Sequence, residues 1–342
     1  PEGTARLFAE GGFFTPDGKA RMQPLAQPAL AAAVSDTLPL LLNTGRVRDH
    51  WHTMTRTGLS PRLSAHIAEP SVLVHPDDAL RFGLRDNGFA RIASAHGAVV
   101  LKVALDPGAQ PGSIFAPIHW SAETASDARI GAAVQPACDP FSGQPEMKAT
   151  PASIAPVAFR SRGFLLSQQD FALPEGSWWA RVTVEGGQGR LFATGADAAE
   201  LMALVRAGFG EDGLVEMVDA ERGLYRCAAL RGGRLVAALF VGPDHDAPVW
   251  DAVKAAFARS EIEPRERLAL LSGRSLDGAV DQGPTVCACF GVGLNAIRAA
   301  FAGGQALTPE DIGRQLKAGT NCGSCLPEIR RIGAQARATE AA

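Results

Sequence analysis

Residues 38–58 read Leu-Pro-Leu-Leu-Leu-Asn-Thr-Gly-Arg-Val-Arg-Asp-His-Trp-His-Thr-Met-Thr-Arg-Thr-Gly, passing from wholly apolar to strongly polar within a few positions. Leu38 to Leu42 is a short apolar run of the kind that forms a buried strand. It empties into Asn43-Thr44-Gly45-Arg46, which sets an amide, a hydroxyl, bare backbone and a guanidinium side by side. Arg48, His50, His52, Thr53, Thr55 and Arg56 follow. Such a set suits the pyrophosphate of a large cofactor. Arg offers a fixed charged fork, hydroxyls give directional bonds, and Gly lets a backbone amide come close. The residues alone leave a second reading open, a solvated polar loop with incidental arginines.

The surroundings narrow the possibilities. The chain has 342 residues, enough for two or three domains with sizeable cores. Thirty-three basic against thirty-six acidic residues give a net charge of −3, so composition makes no case for nucleic acid or a membrane surface as partner. No stretch approaches the ~20 continuous apolar residues of a membrane helix, and the opening lacks a basic-plus-apolar signal peptide, so the expected location is cytoplasmic. The opening at Pro1 is not a natural domain start, and the expectation is the back part of a longer protein.

Taken in order, residues 1–36 are a loop-rich lead-in with Gly11-Gly12 and Thr15-Pro16-Asp17-Gly18 as turn signals. Residues 37–158 carry strand patterns at 71–74, 89–94, 99–105 and 113–117, punctuated by Asp86-Asn87-Gly88, His96-Gly97 and Asp106-Pro107-Gly108. One short helix is expected at 76–82, with Pro76 in its first turn. That spacing predicts a small β-barrel. Residues 159–283 predict a small α+β domain, with hairpins at 178–194 and 224–241 and helices at 197–207, stopped by Gly208, and 249–259. Cys138 and Cys227 read as small buried hydrophobes.

Residues 284–336 hold the remaining four of six cysteines: Cys287-Ala288-Cys289, thirty-two residues, then Cys322-Gly323-Ser324-Cys325. Four thiolates on two tight turns can surround one metal centre, and the clustering speaks against a disulfide framework. Spacing alone leaves zinc and an iron-sulfur cluster equally open. Helices are expected at 294–301, 308–317 and 327–332, so the unit reads as all-α and too small to be stable without its metal. The fold class expected overall is multidomain: a β-barrel domain, an α+β middle domain and an all-α domain, which the resemblances below make the cofactor domain, the linker and the iron-sulfur domain.

Two resemblances extend these readings. Thr44-Gly45-Arg46 followed by His50-Trp51-His52-Thr53 resembles the cofactor loop of the C-terminal domain of molybdopterin oxidoreductases, whose members include nitrate reductases and formate dehydrogenases. The segment from Gly3 to Arg21 resembles the end of the catalytic body of assimilatory nitrate reductases. This resemblance implies a double-psi barrel, a molybdenum bis(molybdopterin guanine dinucleotide) cofactor, a cofactor contact at Lys148, and His119 and Trp120 near the substrate funnel. Many relatives have Asn where this chain has Gly131 or Ala132. Outside the resemblance Lys148 reads as a surface lysine and His119 as a partly buried histidine. The four cysteines with Gly319-Thr320-Asn321 resemble the bacterioferritin-associated ferredoxin family, which implies Cys287, Cys289, Cys322 and Cys325 as ligands of a 2Fe-2S cluster. Residues 225–241 weakly resemble a small domain of flavin-dependent nitrite reductases.

Together these imply the C-terminal portion of an assimilatory nitrate reductase, reducing nitrate with electrons from a reductase subunit, ferredoxin or flavodoxin. A 4Fe-4S cluster and the molybdenum ligand would lie in a preceding part, so the chain by itself is expected to be inactive. The alternatives are another molybdopterin oxidoreductase, such as formate dehydrogenase, and a non-catalytic electron-transfer module.

Overall fold

The computed structural model describes residues 3, 6–24, 26, 28–276, 281–304 and 306–340. They fall into two compact units, Pro1–Ala33 and Val34–Ala342. In the first, Phe8 stacks on Phe13 at 4.9 Å, and the Phe13 N–H donates to the Gly18 carbonyl at 3.0 Å to close a turn. Its described residues hold neither helix nor strand, in keeping with a loop-rich lead-in. Thr4 and Ala5 of the lead-in motif lie outside the described residues, as do 277–280 and 305 of the later segments.

The second unit opens with β1 (Leu40–Gly45), α1 (Pro61–Ser64), β2 (Ser71–Val74), α2 (Pro76–Arg81), β3 (Phe89–Ala93), β4 (Ala98–Leu105), β5 (Ser113–Pro117) and β6 (Thr150–Val157). The six strands close into a barrel in the order β1-β5-β2-β4-β3-β6. Pairs β1·β5 and β2·β4 run parallel, and the other pairs run antiparallel. Closure follows from the alternation: Leu40, Leu42, Val72, Val74, Leu101, Val103, Ile114 and Ala116 point inward and are at most 1% exposed. The strand pattern carries no signal for β6, because Pro151 and Pro156 argue against a ladder. Its two halves pair with different neighbours, 150–152 with β1 and 153–157 with β3, so each proline meets a single partner strand.

A six-stranded antiparallel sheet follows: β7 (Ser161–Ser167), β8 (Trp178–Val184), β9 (Gly187–Thr194), β10 (Leu214–Asp219), β11 (Leu224–Arg231) and β12 (Arg234–Pro243), in the order β10-β11-β12-β7-β9-β8. Helix α3 (Ala198–Phe209) covers one face through Leu201 and Val205, and α4 (Asp251–Phe257) with α5 (Arg267–Leu271) covers the other through Val253, Phe257 and Leu270. Strand β7 has no polar-apolar alternation to betray it, since it is buried at every position. Gly163 is there because a Cβ would sit 2.0 Å from the Phe240 carbonyl oxygen of β12. Asp197 caps α3, its carboxylate accepting from the N–H groups of Ala199 and Glu200 at 3.0 and 2.9 Å. The helix does not stop at Gly208 but at Gly210, whose φ is +72°. Gly208 instead makes room for Phe171, whose ring would lie 2.4 Å from an added Cβ. Trp178 joins sheet to barrel: it packs into the barrel core and donates from Nε1 to the Val100 carbonyl at 2.9 Å.

The last segment is β13 (Thr285–Cys287), β14 (Val292–Gly293), α6 (Leu294–Ala302), α7 (Pro309–Leu316) and α8 (Leu326–Glu340). It is helical as expected, except that β13 and β14 pair and fold the first thiol turn back on itself. Ile297, Phe301, Ile312, Ile329 and Ile332 make its core together with Cys287 and Cys325. No helix among the described residues is long and apolar enough to cross a membrane.

The two cysteines outside that segment part company. Cys227 is buried on β11, and burial pushes its thiol up to about 12. Cys138, expected to be buried, is exposed in the loop between β5 and β6, because that loop turns outward at Asp139. A small alkylating reagent therefore modifies Cys138 in the folded protein and spares Cys227, as read by peptide mass mapping. Rapid labelling of Cys227 would contradict the placement of β11.

Candidate functional site

The polar end of residues 38–58 sits at one end of the barrel. Asn43, Thr44 and Gly45, expected in a loop, continue β1 instead and pair in register with Phe115, Ala116 and Pro117 of β5. The loop proper starts at Arg46. Gly45 is set by packing, since an added Cβ would lie 2.7 Å from the Phe115 ring. The Thr44 hydroxyl donates to the Met147 carbonyl at 2.6 Å, and Lys148 Nζ donates to the Thr44 carbonyl. Lys148 is thus fastened beside Gly45 and Arg46, although 104 positions separate it from Thr44.

Beyond Gly45 the backbone is strained: Asp49, His52 and Met54 take φ of 72°, 46° and 62°. Three non-glycine residues in the left-handed region within six positions persist only where surrounding bonds over-determine them. His119 is the chief of these. Its Nε2 accepts from the Val47 N–H at 2.9 Å, and its Nδ1 lies 2.6 Å from the His52 carbonyl. An acceptor at Nε2 and a carbonyl at Nδ1 fix the neutral tautomer with the proton on Nδ1. Burial and the nearby Arg46 charge hold this imidazole below its ordinary pKa. Trp120, buried beside it, packs edge-on against His50 at 5.5 Å. His119 and Trp120 therefore shape the loop from beneath, neither being open to solvent.

Held this way, the loop exposes Arg46, Trp51, His52, Thr53, Thr55 and Arg56. The Arg46 guanidinium lies 5.3 Å over the Trp51 ring. His50 is buried, bonded through Nε2 to the Ile67 carbonyl at 3.1 Å, with no partner at Nδ1 among the described residues. It lines a cavity of about 300 Å³ together with Thr53, Thr55, Trp120, Glu123 and Arg181. Exposed cations and hydroxyls beside a cavity with an unsatisfied buried nitrogen fit one end of a phosphate-bearing, heterocyclic ligand. Glu123 and Arg181 carry no motif and were not legible in sequence. Gly131 opens to free space, with nothing within 4 Å of an added Cβ.

The four thiols of the last segment form two pairs. Cys289 and Cys322 have their sulfurs 3.5 Å apart, and Cys287 is the hydrogen-bonding neighbour of Cys325. The inner pair is buried, whereas Cys322 is exposed. Hydrogen bonding with the side chain and backbone of Ser324, whose Oγ lies 3.1 Å from the Cys322 sulfur, draws that thiol below its ordinary pKa. Burial and the adjacent Cys287 push Cys325 up to about 12. The four sulfurs thus stand as two neighbouring pairs, Cys289 with Cys322 and Cys287 with Cys325, a donor set that fits a thiolate-bound metal centre.

Comparison with known proteins agrees with this division. Residues 40–151 match the family described as "Molydopterin dinucleotide binding domain", and residues 285–334 match the BFD-like 2Fe-2S binding domain. The chain carries both domains. Over 327 residues it is 39% identical to a nitrate reductase of Klebsiella oxytoca, covering 92% of this chain and 36% of that protein. It is 33% identical over 138 residues to the assimilatory nitrate reductase catalytic subunit of Bacillus subtilis strain 168, 40% of this chain and 19% of that one. A third similarity, 30% over 143 residues, is to the F420-dependent formate dehydrogenase 1 subunit alpha of Methanococcus maripaludis, 42% of this chain and 20% of that subunit. The chain thus spans little more than a third of the length of the most extensive of these matches. The molybdopterin domain model covers the closed barrel almost end to end, and the 2Fe-2S domain contains both thiol pairs.

His119→Ala removes both bonds that hold the loop of the molybdopterin domain, and is expected to cost about 2 kcal/mol in urea unfolding. The sign with pH follows from the depressed pKa. Between the folded value and the unfolded one of 6.5 the unfolded chain binds more protons, so this contribution is full above 6.5 and declines as pH falls. An NMR titration of His119 has its midpoint below 6.5. A midpoint at or above 6.5 would place the ring in solvent and contradict its role as a staple.

Proposed function

We propose that this chain works as part of a molybdenum-dependent assimilatory nitrate reductase, taking nitrate to nitrite and water with two electrons and two protons. One observation carries the reading: the 39% identity to a nitrate reductase runs through 92% of the chain. The formate dehydrogenase similarity is confined to 42% of the chain.

The residues take the following parts. Arg46, His52 and Thr53 offer charge-assisted and hydroxyl bonds to the dinucleotide phosphates, with Thr44, Gly45 and Lys148 fixing the strand end from which they project. His50 and Trp51 supply a buried nitrogen and an exposed ring for the heterocyclic portion. His119 and Trp120 hold the loop in the shape that presents these groups. Cys287, Cys289, Cys322 and Cys325 ligate the 2Fe-2S cluster, and deprotonation of the buried Cys325 is driven by metal binding. The bis(molybdopterin guanine dinucleotide) molybdenum supplies two-electron oxygen-atom transfer when bound, and the clusters supply one-electron steps. On this reading the barrel is the double-psi barrel of 37–158, residues 159–283 link it along the chain to the cluster domain at 284–336, and residues 1–36 belong to the catalytic body. A 4Fe-4S cluster and the molybdenum ligand belong to sequence beyond this chain. The electron donor is a reductase subunit, ferredoxin or flavodoxin, and the setting is the cytoplasm.

Purified with its metals, the full-length protein is expected to contain molybdenum and to oxidise reduced viologen with nitrate and not with formate. Molybdenum with formate turnover would favour the formate dehydrogenase reading, and absence of molybdenum would favour a non-catalytic electron-transfer module. Arg46→Ala strips a charged donor from phosphate, and is expected to weaken dinucleotide retention by about 2 kcal/mol. Unchanged guanine nucleotide content in that variant would count against the loop.

A further inference from the structure

The loop that presents the dinucleotide donors is bonded directly to both thiol turns. Arg48, midway between Arg46 and His50, pairs through Nη1 with Glu328 at 3.0 Å, donates from Nη2 to the Val286 carbonyl at 2.6 Å, and pairs through Nε with Asp49 at 3.1 Å. Asp49 also takes His66 at 3.0 Å and the Ser324 hydroxyl at 3.4 Å. His66 closes the ring on Glu328 at 3.6 Å. Two acids and two bases thus alternate around one circuit, with side chains only 8–25% exposed.

Its attachment points are specific. Val286 precedes Cys287, Ser324 lies between Cys322 and Cys325, and Glu328 stands in the first turn of α8, which begins after Cys325. Arg62 adds a bond to the Cys289 carbonyl at 3.5 Å. Asp49 is itself one of the left-handed residues, so its carboxylate is aimed by the same strained backbone that shapes the donor loop. Burial opposes ionisation of Asp49 and Glu328, yet the hydrogen bonds and charges of His66 and Arg48 hold both carboxyls below their ordinary range. A surface ion pair is worth little. A shielded one left without its partner is strongly unfavourable, so the ring acts as a unit.

We propose that the Arg48, Asp49, His66 and Glu328 ring couples the thiol module to the dinucleotide loop, so that a loaded cluster steadies the loop and a filled loop steadies the cluster. Metal fixes the two thiol turns, the turns fix Val286, Ser324 and Glu328, and these fix Arg48 and Asp49 within the loop. Coupling of this kind is reciprocal by thermodynamic necessity. The four residues are positioning residues and touch neither cofactor. The inference rests on the reading of the four cysteines as cluster ligands, and it holds whichever substrate the whole protein reduces.

Hydrogen exchange by mass spectrometry on the full-length protein tests it, comparing cluster-loaded protein with protein whose iron has been chelated. In the unaltered protein, chelation is expected to speed exchange of amides 46–54 by about tenfold. Arg48→Ala and Glu328→Gln, with iron content and the cluster's electron paramagnetic resonance signal retained, each speed the same amides before chelation and remove most of the difference that chelation makes. Arg330→Ala, on the exposed side of α8, leaves both states unchanged. Loop exchange that ignores chelation in the unaltered protein would overturn the proposal. So would clamp variants that respond to chelation as fully as the unaltered protein does. Failure to reduce nitrate would sink the proposed function and leave this coupling standing, because the exchange measurement needs no turnover.

Discussion

The bond between the His119 imidazole and two backbone groups five positions apart is the constraint on which the donor loop depends. Residues 46–54 cannot relax into ordinary backbone conformations while Val47 and His52 are both tied to one ring. The strain at Asp49, His52 and Met54 is the cost of turning His50 inward while Arg46, Trp51 and His52 face outward. A flat loop would scatter those donors; a stapled one converges them. The barrel makes the staple possible. Parallel pairing of β1 with β5 brings Gly45 level with Pro117, so His119 emerges just beyond the strand that delivers the loop.

The same loop is also where the thiol module is fixed. Arg48 and Asp49 face the cysteine turns while their neighbours face the cavity side, so one strained turn serves two sites at once. Within the module, two sulfur pairs of unequal exposure give an inner pair shielded by Ile297, Ile329 and their neighbours and an outer pair near solvent. Through Trp178 and the bond from Thr183 to the Gly58 carbonyl at 2.5 Å, the middle sheet braces the barrel and the base of the loop.

Much of this was legible in the residues because it rests on local patterns. Alternation in 71–74, 99–105 and 113–117 placed strands, and the helical spacing of 197–207 placed α3 to within a few residues of its end. What escaped did so for identifiable reasons. Prolines hid β6, uniform burial hid β7, and Gly208 looks like a helix stop when its absent side chain is a packing allowance for Phe171. Of the candidate site residues, Arg46, His52 and Thr53 stand exposed, whereas His119 and Trp120 lie beneath the loop, because burial is a property of the assembled barrel.

By itself the sequence determined which chemistry is available: two thiol pairs at metal-binding spacing, and a run of cations and hydroxyls after an apolar strand. Only the tertiary structure decided which of those groups meet. Arg48 and Glu328 are 280 positions apart, and His119 reaches Val47 across 72. Such pairings depend on strand order and barrel closure. Neither is encoded in any short window of residues, because each is set by the simultaneous burial of apolar faces contributed from the whole length of the chain.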